Sequence, residues 1–168
     1  MPILPPCDCG TSSPCTESTQ LASSFPSTSP LKPPNALAEK RAQECTAKVR
    51  LIQMDVQNLQ FDDDTFDSVV STCVFCSVPD PIAGLREIRR VLKPEGRLLM
   101  IEHMLSDHFP IAIVLHILNP FTVRMTGANV NRRTMDNLRT AGFSIQEMRF
   151  IAFSDVFRLI VAVPNKHP

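Results

Sequence analysis

The sequence predicts an α/β fold built on a parallel sheet, and three observations carry that prediction. Over Val49 to Glu102, VRLIQMDVQNLQFDDDTFDSVVSTCVFCSVPDPIAGLREIRRVLKPEGRLLMIE, strand-like and helix-like stretches alternate. Such alternation suits parallel strands joined by helical crossovers. The apolar runs Val49–Met54 and Ser68–Thr72 are short and rich in β-branched residues, as in strands covered on both faces. Between the second run and the next strand, Leu85, Ile88, Val91 and Leu92 share one helical face, with Arg86, Glu87, Arg89 and Arg90 mostly opposite, the pattern of a helix laid on a sheet.

Taken in order, residues 1–35 stand apart. They hold eight of the 15 prolines, dense Ser and Thr, and Lys32 as their one basic residue. A stretch that buries so little apolar surface does not offset its ordering entropy, so disorder is expected. It has neither the basic start and apolar core of a signal peptide nor the arginines of a mitochondrial presequence. Cys7, Cys9 and Cys15 lack the paired spacing of zinc sites, so no metal is expected. Ala36–Ala47 is rich in helix formers.

Asp62, Asp63 and Asp64 make an acidic loop between the first two strands. Asp80 and Pro81 are a helix start, an oxygen-bearing cap and a proline at the first helical position. Lys93, Pro94, Glu95 and Gly96 are expected to form a turn, and Arg97–Ile101 the next strand, ending in Glu102 and His103. His108–Leu118 reads as a short, nearly all-apolar helix that Asn119-Pro120 ends. Gly127–Arg133 is a polar loop, Thr134 caps a helix through Ala141, and Gly142 fits a helix C-cap. Phe143–Phe150 and Val156–Val163 are two strands joined near Ser154 and Asp155.

Composition narrows the function classes. With 168 residues the chain is of one-domain size, and its 17 basic and 17 acidic side chains cancel, so no long-range field draws it to nucleic acid or an anionic membrane. Six irregularly spaced cysteines favour a reducing, cytoplasmic setting over a disulfide scaffold. The run Ile111–Leu118 is far short of the roughly 20 residues that span a bilayer. Membrane-peripheral association stays open.

MDVQNLQF, DDTFDSVVST and LREIRRVLKPEGRLLMIE, in this order and spacing, resemble the second half of a class I S-adenosylmethionine-dependent methyltransferase. The branch is that of the ubiquinone/menaquinone C-methyltransferases and the methyltransferase-like thiol methyltransferases; GANVNRRT and FRLIVAVPN look closer to the latter. The resemblance implies a Rossmann-like sheet with a C-terminal antiparallel pair, spanning residues 36–166. It also implies S-adenosylmethionine as cofactor and a small, apolar thiol or hydroxyl acceptor. Members carry a first strand with a glycine-rich loop and a second strand with a ribose-binding acid. Of the five glycines only Gly10 precedes the helix at residue 36, so the sheet is expected to lack its first two strands. An exposed sheet edge and self-association then follow.

By resemblance, Asp55 accepts from the adenine amino group, the Val56 amide donates to the ring, and Thr72 and Cys73 border the methionine moiety. Glu102 and His103, at the end of the fifth family strand, either orient or deprotonate an acceptor or are merely hydrogen-bonded. Asn129, Asn131, Arg132 and Arg133 either contact substrate or are solvated. Cys73 and Cys76 have redox spacing without a dithiol's setting at a helix start, which favours structural thiols. The segment after His108 either covers an apolar substrate or packs in the core. The competing reading is an inactive remnant that acts through a partner chain; a nucleotide-dependent dehydrogenase ranks third, since it needs the same absent loop.

Overall fold

The computed structural model describes residues 19–21, 36–44, 49–52, 54–152 and 155–166. Ten elements follow in chain order: β1 (Thr19–Leu21), α1 (Ala36–Glu44), β2 (Val49–Leu51), β3 (Phe66–Thr72), α2 (Pro81–Val91), β4 (Leu92–His103), α3 (Phe109–Thr126), α4 (Thr134–Thr140), β5 (Phe143–Ala152) and β6 (Phe157–Pro164). The main sheet runs β3-β4-β6-β5, with β3 and β4 parallel and the other two pairings antiparallel. This is the expected mixed α/β sheet with a C-terminal antiparallel pair.

β2 does not join β3. It pairs in parallel with β1, Thr19 opposite Val49 and Leu21 opposite Leu51, as a separate two-stranded sheet. β1 falls inside the segment expected to be disordered; the rest of residues 1–35 lies outside the described residues.

Alternation along the strands gives the main sheet two unlike faces. Leu98 and Met100 of β4 and Ile160 and Ala162 of β6 are fully buried, in one core with Leu85, Ile88 and Val91 of α2 and Leu138 of α4. Each such side chain contributes roughly 1.5–3 kcal/mol of apolar burial. The opposite face aligns Val70, Leu99 and Val161 across three strands, and Val70 is 68% exposed. On that face Arg97, Gln146, Glu147, Val161 and Val163 line a hollow of about 330 Å³, at the end of β4 away from His103.

Local signals explain most boundaries. Asp80 caps α2 by accepting from the Ile82 and Ala83 amides, both at 3.0 Å, an arrangement worth about 1 kcal/mol. Gly142, with φ 89°, ends α4 as expected.

Three expectations are corrected. Lys93–Gly96 is part of β4 and not a separate turn: the step from Phe66 to Ser68 on β3 is matched by the step from Leu92 to Arg97, so the extra residues bulge out of register. Gly96 is required there, since a Cβ would lie 2.9 Å from Lys93 O and 3.1 Å from Phe66 O. Helix α3 runs on through Pro120 to Thr126 and stops at Gly127, φ 74°, whose N–H reaches Val123 O at 2.9 Å. Pro120 is exposed, on the side where an interrupted ladder is open to solvent. The N-cap of α4 is Arg133, without a side-chain cap bond, while Thr134 is buried within the first turn.

Candidate functional site

Strand β3 leaves the sheet at Thr72, which is exposed and opposite Ile101. Cys73 then takes a left-handed conformation, φ 51°, unusual for a side-chain-bearing residue. Its N–H still donates to Ile101 O at 2.8 Å, so the chain turns sharply at the carboxyl edge. Glu102 fixes that turn from β4. Its Oε1 accepts the Val74 amide at 2.8 Å, the Phe75 amide at 3.1 Å and Ser71 Oγ at 3.4 Å.

Glu102 is fully buried, and its Oε2 has no hydrogen-bond partner. Burial pushes its carboxyl above the usual range against the opposing pull of the Phe75 and Val74 amides. Next to it, His103 is half-buried with its ring centroid 5.7 Å from that of Phe157. Its Nε2 is buried without a partner. Burial lowers its pKa, opposed by a hydrogen bond to the Asn129 backbone, so the imidazole is neutral at physiological pH and can accept a proton.

The two thiols differ. Cys76 is buried and donates to Cys73 O at 3.2 Å, whereas Cys73 is exposed, and no disulfide joins them. Burial pushes the Cys73 thiol up, and the charges of Glu102 and Cys76 add to it; burial also raises Cys76. Both are therefore protonated at neutral pH, which suits structural thiols better than a redox pair. Of the two, only Cys76 is buried as a packed thiol would be; Cys73 is exposed at the sheet edge.

A second loop lies alongside. Asp55 forms a turn in which Oδ1 accepts the Gln57 amide at 2.9 Å and the Asp55 carbonyl accepts the Asn58 amide at 3.0 Å. Gln57 Oε1 in turn accepts the Asp80 amide at 2.8 Å, tying this loop to the start of α2. Val56 is buried and meets Phe75 over Gly84, where an added Cβ would come within 3.2 Å of Val56 and 3.1 Å of Phe75. Gly84 thus lets the Asp55–Val56 loop and the Cys73–Cys76 loop close over the first turn of α2.

Arg90 locks the same loop from below, donating to Leu59 O, Phe61 O, Asp63 and Glu87 at 2.7 to 2.9 Å. Glu87 also accepts the Leu59 amide.

Asn129 and Arg132 serve as buttresses. Asn129 donates its backbone and side-chain N–H to Cys76 O at 2.8 and 3.3 Å, and Arg132 reaches Val78 O at 2.7 Å. Asn131 bonds His116, and Arg133 is exposed. The sequence reading missed the buried polar cluster beside this edge, in which Arg158 meets Asp155 and Asp107 while Ser106 donates to Asp155 at 2.6 Å. The spacing of Asp155 and Arg158 around a turn was its only signal. Among the described residues no group of three His, Cys, Asp or Glu side chains is placed to hold a metal.

A family profile described as a methyltransferase domain matches residues 8–100, more than half of the chain. The chain belongs to that methyltransferase family. Among similar curated proteins, a phosphatidylethanolamine N-methyltransferase of Cereibacter sphaeroides is 38% identical over 64 residues, covering 38% of this chain and 32% of the relative. A ubiquinone/menaquinone biosynthesis C-methyltransferase of Idiomarina loihiensis is 44% identical over 54 residues, covering 32% and 22%. The matched stretch thus spans about a third or less of each relative. In fold, the YcgJ protein of Bacillus subtilis superposes with a TM-score of 0.61 at 16% identity, covering 78% of each chain. The [4+2]-cyclase SpnF superposes at 0.59 with 18% identity over 77% of this chain and 61% of that one.

Proposed function

We propose that this chain binds S-adenosylmethionine at the carboxyl edge of β3 and β4 and transfers its methyl group to a small, apolar thiol or hydroxyl acceptor. The observation that carries the reading is the closure of the Asp55–Val56 loop and the Cys73–Cys76 loop against each other over Gly84, where ligands of open α/β sheets bind. The residues fit the cofactor at two ends. Asp55 offers carboxylate acceptors to the adenine amino group, and Thr72 and Cys73 stand exposed at the strand end. When bound, the cofactor supplies the methyl group as a sulfonium electrophile.

The rest of the work is alignment and proton handling by the chain itself. Alignment of a nucleophile is worth roughly 7–11 kcal/mol. Glu102 holds the turn that aims Cys73 outward, a positioning role. In this reading His103, neutral and with an unpartnered Nε2, takes the acceptor's proton. The curated relatives include enzymes named for phosphatidylethanolamine, quinone and cycloartenol acceptors, which supports an apolar acceptor for this chain.

One observation favours a second reading, an inactive remnant acting through a partner chain. The outer edge of β3 pairs with no strand among the described residues, where the family places its central first strand. Isothermal titration with S-adenosylmethionine and S-adenosylhomocysteine separates the two. Micromolar binding, weakened about tenfold or more in Asp55→Ala, is the expected result. Folded protein that binds neither ligand leaves the remnant reading, and wild-type affinity in Asp55→Ala removes Asp55 from the site.

A further inference from the structure

Helix α3 has no buried residue in its 18 positions, yet its circumference is divided. Ile111, Ala112, Leu115, Asn119 and Thr122 are half-buried on the side toward the body. Asn119 fastens that side: its Oδ1 accepts the Val130 amide at 2.9 Å, and its Nδ2 lies 3.5 Å from Asn129 Oδ1. The helical repeat places Phe109, Ile113, Ile117, Phe121 and Met125 on the outward half. They are between 42% and 77% exposed. The stripe runs about 24 Å along the helix axis, and soluble surfaces rarely leave so continuous an apolar face to water.

Charge decides what covers it. From His108 to Met135 there is no acidic residue, while Arg124, Arg132 and Arg133 lie in the same segment of a chain whose total charge is zero. Arg132 is engaged by Val78 O, whereas Arg124 and Arg133 are exposed. The nearest acids are occupied, Asp107 by Arg158 and Asp136 by Arg139. A second copy docking through α3 would present the same acid-free stripe and leave Arg124 without a counter-ion. A surface with an apolar interior and anionic headgroups matches both the stripe and the arginines.

We infer that α3 is a lipid-docking helix lying in the plane of an anionic phospholipid surface. By length and composition α3 could also cross a bilayer, but Asn119 ties one side of it to Val130 and Asn129 of the following loop, and lying in the plane of the surface keeps that side on the protein. The loop after α3 bonds Cys76 O through Asn129, so docking brings the carboxyl edge of the sheet to the lipid boundary.

The test is flotation of the full chain with vesicles of phosphatidylcholine, with and without phosphatidylserine; no cofactor is needed, so its outcome is separate from the methyl-transfer reading. Binding to the phosphatidylserine vesicles that falls with added salt is expected. Ile117→Glu with Phe121→Glu lowers it by more than about twentyfold. Arg124→Ala lowers it about fivefold, the ~1 kcal/mol of one surface arginine. All three positions are exposed, and unchanged circular dichroism shows that the variants fold. No flotation, flotation indifferent to the double variant, or equal binding to both vesicle types with Arg124→Ala silent overturns the inference. An oligomer that the double variant dissolves, without flotation, overturns it in favour of a second copy.

Discussion

Glu102 shows how one buried carboxyl can organise a turn and burden the fold at once. Three donors converge on Oε1 while Oε2 has none, so the acid is only half satisfied in a place where ionisation is costly. Its folded pKa lies above the unfolded value. Between the two, the folded state keeps a proton that the unfolded state has released, and stability falls as pH rises through that window. Glu102→Gln keeps the acceptor for the Val74 and Phe75 amides and removes the titration. It should melt higher than the wild type at neutral pH, with the gap closing as pH falls below the usual carboxylate range. Thermal melts across pH check this; a gap independent of pH would mean that Glu102 is ionised in the fold. His103 works in the opposite sense, since burial lowers its pKa and it weakens the fold as pH drops.

Among the elements, α2 is where sequence and structure agree best, because its signals are local. Asp80-Pro81 marks its start, and Leu85, Ile88 and Val91 its buried face. The role of Arg90 was not legible in the same way. It belongs to the polar side of the helix, and only the fold brings Leu59 O, Phe61 O and Asp63 within reach across about thirty residues. Arg90→Ala is expected to cost about 1–2 kcal/mol, loosening the loop that carries Asp55 and Val56. Urea unfolding measures the stability loss, and faster amide exchange at Leu59 localises it; unchanged exchange there would show that the clamp is not what holds the loop. The end of α3 was misread because proline disfavours a helix interior, through its lost bond and its clash with the preceding turn, without forbidding it, and α3 carries Pro120 inside. The Lys93–Gly96 turn failed because pairing of Phe66 with Leu92 is a long-range contact that no local signal announces.

At the scale of the whole molecule, strand order sets what is covered. The main sheet, β3-β4-β6-β5, has helices α2 and α4 on one face, while β2 is drawn off to β1. The scarcity of glycine before residue 36 led to the expectation of an exposed strand edge, but not that β2 would pair with β1 instead of β3. The consequence falls on β3, whose outer edge pairs with no strand among the described residues and runs beside Val70, a side chain 68% exposed. Unpaired edges recruit strands from other chains, and a lysine at the edge is the usual remedy. The full chain should therefore associate as its concentration rises, and Val70→Lys should weaken that association about tenfold, the ~1.4 kcal/mol that one lost valine contact and one added charge supply. Light scattering after size exclusion at several concentrations reads the effect directly. If Ile117→Glu with Phe121→Glu abolishes the association while Val70→Lys leaves it intact, the contact runs through α3 and the β3 edge is not the adhesive one.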